Sequence, residues 1–429
     1  MTTPLPPDSL PVRPDLGQLK RQAKELLAGM RALDPAAISK LAQFHPEMID
    51  PASAKLADAQ LALARSYGAA SWPRLVQCCE VIDAIWKDDL AVVRELVTKH
   101  PNLLHESALA RPPGQTSNWG PPMSYAANLG RDEIIKMLHD LGAKDHEHAL
   151  DRAVLQSKVD TACLLHNMIG KPKPPEGALG SPAYTLSEAG TAFVLKCGAR
   201  VVDDEGRRLA PVGVVLGSDS RRPAAKHAIL RMYEEHGLAY PDTAPMALHR
   251  GRIDLLEKYL AADPGMLNRQ WAWEEIYPPD MGCEDELRST HGTPLKAATL
   301  LHMCCDYDEL EIAQWLIAKG ADVNARAAVD ADGFGGHTPL FSAVVSQHHF
   351  WMNYGKGKPS TDFAGLLLSR GADPNVRVSL RKHMHPGYGP DVMREFRDVT
   401  PLSWGRRFHR KEFVGEHALR AVEAAGGVE

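Results

Sequence analysis

The chain has 429 residues, 44% hydrophobic and 24% charged, with a formal net charge of −5. That length holds two or three ordinary domains or one long repeat array, and the composition is that of a folded globular chain. The charge is too mild to make the whole chain a nucleic-acid or membrane-surface binder, and no apolar run approaches the ~18 residues of a membrane helix.

Residues 1–14 carry five prolines and no apolar stretch of signal-peptide type, so they read as a flexible lead. Residues 15–78 read as a helical module. Leu16, Leu19, Ala23, Leu26, Leu27 and Met30 follow the i, i+3, i+4, i+7 spacing of a helix with one apolar face. Asp34-Pro35 is a cap followed by a first-turn proline; Ser53 is placed to cap a third helix that Gly68 stops, and Ser71-Trp72-Pro73 opens a fourth. Three stretches, Asp34–Asp50, Asp89–His105 and Arg252–Asn268, align without gaps, each a helix leaving through a proline (Pro46, Pro101, Pro264) toward an apolar anchor (Ile49, Leu104, Leu267). The seven cysteines include two adjacent pairs, Cys78-Cys79 and Cys304-Cys305, which fits reduced core thiols of a cytoplasmic protein better than a disulfide framework.

From residue 79 onward the sequence repeats. Thr293-Pro294-Leu295, Thr338-Pro339-Leu340 and Thr400-Pro401-Leu402 open alike, and the first two segments close on Gly320-Ala321-Asp322-Val323-Asn324 and Gly371-Ala372-Asp373-Pro374-Asn375. A threonine can cap a helix whose first turn holds the proline, and a glycine can take the left-handed conformation that ends the second helix. Degenerate copies lie upstream, ending at Gly142, Gly198 and Gly237. These starts and ends resemble the ankyrin repeat, and residues 56–75 are similar to a helical module of bacterial ankyrin-repeat proteins. The resemblance implies an all-α ankyrin-repeat solenoid over residues 79–429, built of stacked helix pairs with long finger insertions. Residues 15–78 are expected as its helical N-terminal cap, because an open repeat end would expose half a core, with a separate docking domain as the other reading.

Function is expected where the chain departs from a minimal repeat. The connection between Asn268 and Thr293 carries Trp271, Trp273 and Tyr277 beside six acids; that between Asn375 and Thr400 carries Arg377, Arg381, Lys382, Arg394 and Arg397 with His383, His385, Tyr388 and Phe396. A smaller glycine-rich connection, Asp330–Gly336, lies between them. All three occupy the finger position, so they are expected on one side of the array. The acidic and basic fingers either cover the scaffold and each other, or form an aromatic-lined, cationic binding face. For the second case the contact residues are Trp271, Trp273, Tyr277, His337, Arg381, His383, His385, Tyr388 and Arg394. His337, directly before Thr-Pro-Leu, suits a structural hydrogen bond equally well. Gly355-Lys356-Gly357-Lys358 lacks the spacing of a phosphate-binding loop, and no cysteine–histidine spacing marks a metal site. The expectation is therefore a scaffold that binds another protein, with no cofactor, no membrane and nucleic acid disfavoured; the alternative is an enzyme or binder of a small anionic molecule using a pocket among the C-terminal fingers.

Overall fold

The computed structural model describes residues 10–105, 119–218, 221–285, 292–346, 362–383 and 392–429. The chain is largely helical and divides into two compact units, Met1–Lys173 and Pro174–Glu429. No described helix is long and apolar enough to cross a membrane.

The first unit opens with α1 (Leu16–Arg31), α2 (Pro35–Phe44) and α3 (Leu56–Ser66). Asp15 caps α1 by accepting the Gln18 N–H, and Asp34 caps α2 ahead of Pro35. The cap of α3 lies at Lys55, not Ser53: the Asp58 carboxylate accepts the Lys55 N–H at 2.7 Å, while the Ser53 hydroxyl donates to the Asp50 carbonyl. Met30, Leu41, Ala59 and Ala62 form the core of these three helices. The next helix, α4 (Trp72–Lys87), runs unbroken through Cys78 and Cys79 and packs on α3. α5 (Leu90–Lys99), α6 (Pro122–Leu129), α7 (Asp132–Asp140), α8 (His146–Leu155) and α9 (Val159–Met168) follow, with α6 packed on α4, α7 and α8, and α8 on α9.

In the second unit, α10 (Gly180–Tyr184), α11 (Glu188–Lys196), α12 (Val212–Leu216), α13 (Pro223–Glu235), α14 (Ala244–His249), α15 (Ile253–Ala262) and the one-turn α16 (Trp273–Ile276) precede three regular helix pairs. Those pairs are α17 (Leu300–Tyr307) with α18 (Leu310–Ala318), α19 (Pro339–Val344) with α20 (Phe363–Ser369), and α21 (Pro401–Arg407) with α22 (Glu416–Ala424). The first helices α17, α19 and α21 pack side by side. After α18 and α20, Gly320 and Gly371 take φ of +101° and +87°, a conformation that leaves the helix cleanly and that a Cβ would strain.

The all-helical expectation is corrected in the basic finger. β1 (Val378–His383) and β2 (Met393–Val399) pair antiparallel, with a bulge between Val378 and Leu380. Its sequence carries the period-2 alternation of a strand (Val378, Leu380 against Arg377, Ser379, Arg381), which helix-repeat reasoning passed over.

Candidate functional site

The three C-terminal repeats are joined by side chains that recur once per repeat. Asn268, Asn324 and Asn375 each accept, through Oδ1, the backbone N–H of Asp322, Asp373 and Val428 respectively, at 2.8–2.9 Å. Asn324 and Asn375 also donate to the Gly371 and Gly426 carbonyls. The closing asparagine of each repeat thus satisfies the backbone of the next helix exit.

The opening of the first of these repeats is not where the Thr-Pro-Leu pattern puts it. Helix α17 is capped by Thr299, and the run Thr299-Leu300-Leu301-His302 forms its start. The buried His302 ring accepts the Thr299 N–H and sends Nε2 to the His337 carbonyl at 3.1 Å; His337 in turn sends Nε2 to the Pro294 carbonyl at 2.9 Å. Both imidazoles are held neutral by burial, His302 down to about 3 and His337 down to about 4. His337 is thus a buried hydrogen-bonding residue and not a surface contact.

Thr293-Pro294-Leu295 instead forms an irregular run whose Thr293 docks on α19 and α21. The Thr293 hydroxyl donates toward the Phe341 and Val345 carbonyls and accepts the Trp404 indole N–H at 3.0 Å. Gly292 is pressed on the Val345 backbone, where a Cβ would come within 2.8 Å of the carbonyl oxygen. The threonine and proline looked like a helix cap because the motif is the same; only the packing partner separates the two uses.

The acidic finger is anchored by its aromatics. Trp271, Trp273 and Tyr277 are all buried. The Trp271 N–H donates to the Ala298 carbonyl, the Trp273 indole donates to the Glu284 carbonyl, and the Tyr277 and Tyr307 hydroxyls bond to each other. Burial raises the Tyr277 phenol well above its usual range, so it titrates nowhere near neutrality. These side chains hold the finger and line no open face.

The basic finger is held from one side by the glycine-rich connection. Gly335 donates its N–H to the Ser379 carbonyl, and Arg381 reaches Asp330 at 2.7 Å and Asp332 at 2.9 Å while lying over the Phe334 ring. The carboxylates keep the Arg381 guanidinium charged, and they also occupy it, so Arg381 is a scaffold contact in this arrangement. On the hairpin's other face Leu380 and Phe396 pair across the strands and are buried, Phe396 meeting the Trp404 ring edge-on at 4.9 Å. Towards the turn, His383 is half-buried opposite Met393, and Arg394 is exposed opposite Lys382. His385 and Tyr388 lie outside the described residues. Trp271, Trp273 and Tyr277 of the acidic finger and Arg381 and Phe396 of the basic finger are thus each held by neighbours in the scaffold.

Sequence reading missed a buried ionic cluster. Arg221 donates from Nη2 to the Asp306 carboxylate at 2.8 Å and from Nε to the Asp306 carbonyl; Lys226 and His227 both meet Glu309, each at 2.8 Å. The Lys226 ammonium lies 4.2 Å from the centre of the Tyr307 ring. Burial pulls the Lys226 ammonium below its usual value, while Lys226 and His227 outweigh burial at Glu309 and hold that carboxyl low. The signal was available: Lys226, Ile229, Leu230 and Tyr233 share one helix stripe, so a lysine interrupts an apolar face. The two cations and two carboxylates balance, and they tie α13 to α17 and α18 from within.

Ser124, His148 and Asp145 also meet, but not as a nucleophile and base. The serine hydroxyl is 2.6 Å from Asp145 Oδ2 and 2.8 Å from His148 Nδ1, so the carboxylate engages the serine where a triad would have it orient the imidazole. Among the described residues no three His, Cys, Asp or Glu side chains converge as a metal centre requires.

The ankyrin-repeat family model matches residues 298–328, from Ala298 through α17 and α18. The chain contains an ankyrin-repeat-like domain. The matched stretch begins one residue before Thr299, the cap that the geometry assigns, and leaves out Thr293. A crystal structure of the human ASB11 ankyrin repeat domain is 15% identical, covering 72% of this chain and 99% of that chain, with a TM-score of 0.24; at that score the likeness bears no weight for the arrangement of helices. No curated protein matches the chain.

Proposed function

We propose that this chain binds another protein through the hairpin β1–β2 of its C-terminal ankyrin-like repeats. The observation that carries the reading is a contrast within one finger. The hairpin's base is fixed by Phe396 on Trp404 and by Arg381 on Asp330 and Asp332, whereas Val392, Met393 and Arg394 near its turn are exposed. Val392 and Met393 are 45% and 43% exposed, adjacent apolar side chains on a rigid base. A contact surface works best when its anchor residues are pre-positioned, because less ordering entropy is lost on association. The alternative surface, the helical face of α19 and α21, already carries the chain's own Gly292–Leu295 in part. We place the protein in a reducing, cytoplasmic setting, which suits seven free cysteines, four of them buried.

The test is a photo-crosslinking amino acid placed at Met393 and, for comparison, at Leu33, which is 59% exposed in the other unit. Irradiation in cells of the native host should give a discrete crosslinked product from position 393 and none from position 33. Equal yields from both positions, or none from either, would refute the assignment.

A further inference from the structure

Resting on the hairpin as the binding surface, we propose that its partner is a second copy of this chain, which adds its own β2 antiparallel to the outer edge of β2. Backbone groups along a strand point alternately to its two sides, and contacts at two residues fix which way each part of β2 points. The Asp398 N–H donates to the Ser379 hydroxyl at 3.3 Å and the Asp398 carbonyl accepts from Arg377, both on the β1 side. The Arg397 carbonyl, one residue earlier, turns the other way and accepts from Arg407 of α21 at 3.2 Å. By alternation Arg394 and Phe396 bond inward to β1, whereas Met393, Glu395 and Arg397 present their N–H and C=O groups outward. Beyond the Arg407 contact, no described residue bonds to the backbone of that outer row. The outer edge of β1 is already taken, since Gly335 donates its N–H to the Ser379 carbonyl. A strand edge with open amides is a template for one more strand, and here only β2 offers one.

The side chains select both the occupant and its register. Two copies of one strand pair around a twofold axis, and only an axis through a residue, not between two, brings outward rows together. With the axis at Phe396, Glu395 faces Arg397 of the second copy and Arg394 faces its Asp398, each twice, while Met393 meets its Val399. Every charged pair is then opposite in sign. Moving the axis by one residue sets Glu395 on Glu395 or Arg397 on Arg397, and moving it by two sets Arg394 on Arg394 or Asp398 on Asp398. Opposite charges across neighbouring strands attract and like charges repel, so one register is favoured and its neighbours are excluded. The groups stand ready for it. Arg394, Glu395 and Arg397 are exposed, and Glu395 and Arg397 already pair within the strand at 2.8 Å, so a second copy closes them into a ring of alternating charge. Exposed Met393 extends the contact with an apolar side chain. Arg407 engages one lone pair of the Arg397 carbonyl and leaves the other for an amide of the added strand.

The experiment is sedimentation velocity of the full chain over a rising concentration series, with Glu395→Lys and Arg397→Glu run separately and mixed. The parent should form a dimer that weakens as salt rises. Each variant alone brings like charges together across the axis and should weaken dimerisation about tenfold or more. Mixed in equal amounts, the two should recover to within about threefold of the parent, because the altered positions then face each other with their signs exchanged. Both positions are exposed, so the melting temperatures should stay near the parent's. Should either variant fail to fold, Arg394→Glu replaces it; facing Asp398 of the second copy, it should weaken dimerisation as well. The inference is overturned if the parent stays monomeric throughout, if the separate variants dimerise like the parent, or if the mixture associates no better than its components. If the parent stays monomeric while the crosslinker at Met393 captures a different protein, the second-copy inference is wrong and the hairpin surface stands; if the crosslinker captures nothing either, both fall.

Discussion

Replacing Thr293 with valine should destabilise the second unit by about 1–3 kcal/mol, the cost of leaving a buried polar group without its partner. The side chain is fully buried and keeps nearly the same shape, so packing changes little. Its hydroxyl serves three groups, and they do not lose equally. The Phe341 carbonyl still accepts the Val345 N–H, and the Val345 carbonyl still accepts the Thr293 N–H. The Trp404 indole N–H loses the acceptor at 3.0 Å and has only valine methyls in its place. Thr338→Val is the matched comparison. Thr338 is just as buried, but its hydroxyl has no hydrogen-bond partner among the described residues, so removing it should be neutral or slightly stabilising. Thermal melts followed by circular dichroism resolve the difference, since 1 kcal/mol moves the midpoint of a unit of this size by roughly 2–4 °C. Tryptophan fluorescence should shift in Thr293→Val alone. If the two valine variants agree within about 0.5 kcal/mol, the Thr293–Trp404 contact is not stabilising and the docking of Thr293 on α19 and α21 is misplaced.

Three further outcomes test the same frame. Burial keeps the folded values of His302 (about 3) and His337 (about 4) below the ordinary 6.5. Between those values the unfolded chain binds more protons, so stability should be complete above pH 6.5 and fall as the pH drops toward 4, by up to about 1.4 kcal/mol per pH unit for each histidine. His337→Gln, which keeps a donor for the Pro294 carbonyl, should flatten that slope in melts between pH 6.5 and 4.5; an unchanged slope would show that His337 does not titrate with folding. Leu340→Ala should cost about 2–5 kcal/mol through lost burial and a residual cavity, checked by chemical denaturation, and a change under about 1 kcal/mol would deny that Leu340 belongs to the core. Asn324→Ala removes the bonds to the Asp373 N–H and the Gly371 carbonyl, for about 1–2 kcal/mol. The Asp373 amide should then exchange faster, whereas unaltered protection would mean the asparagine is not what holds that amide.

Part of this protein could be read from residue order alone, because local rules decide it. Asp15 and Asp34 cap their helices, and Gly320 and Gly371 leave theirs through positive φ, as cap and left-handed preferences require. The apolar stripes that become the helix cores are equally local, since helical spacing fixes which residues share a face. Leu340 and Leu402 are buried in the first turns of α19 and α21, where the Thr-Pro-Leu pattern puts them. The limits of local reading show at the same motif. Thr293-Pro294-Leu295 satisfies every local condition for a helix start, yet Thr299 caps the helix. What decides it is the docking of Thr293 on Trp404, a partner 111 residues away in sequence. The role of Arg381 is non-local in the same way: whether a finger arginine waits for a partner or holds the scaffold depends on Asp330 and Asp332, which a separate connection brings to it. His337 differs from a surface histidine only by burial and by the Pro294 carbonyl. Sequence determines what each side chain is able to do within a turn or two of its own backbone. The tertiary structure decides which of those abilities is already satisfied, because hydrogen-bond partners and water exclusion come from segments that meet only when the chain is folded.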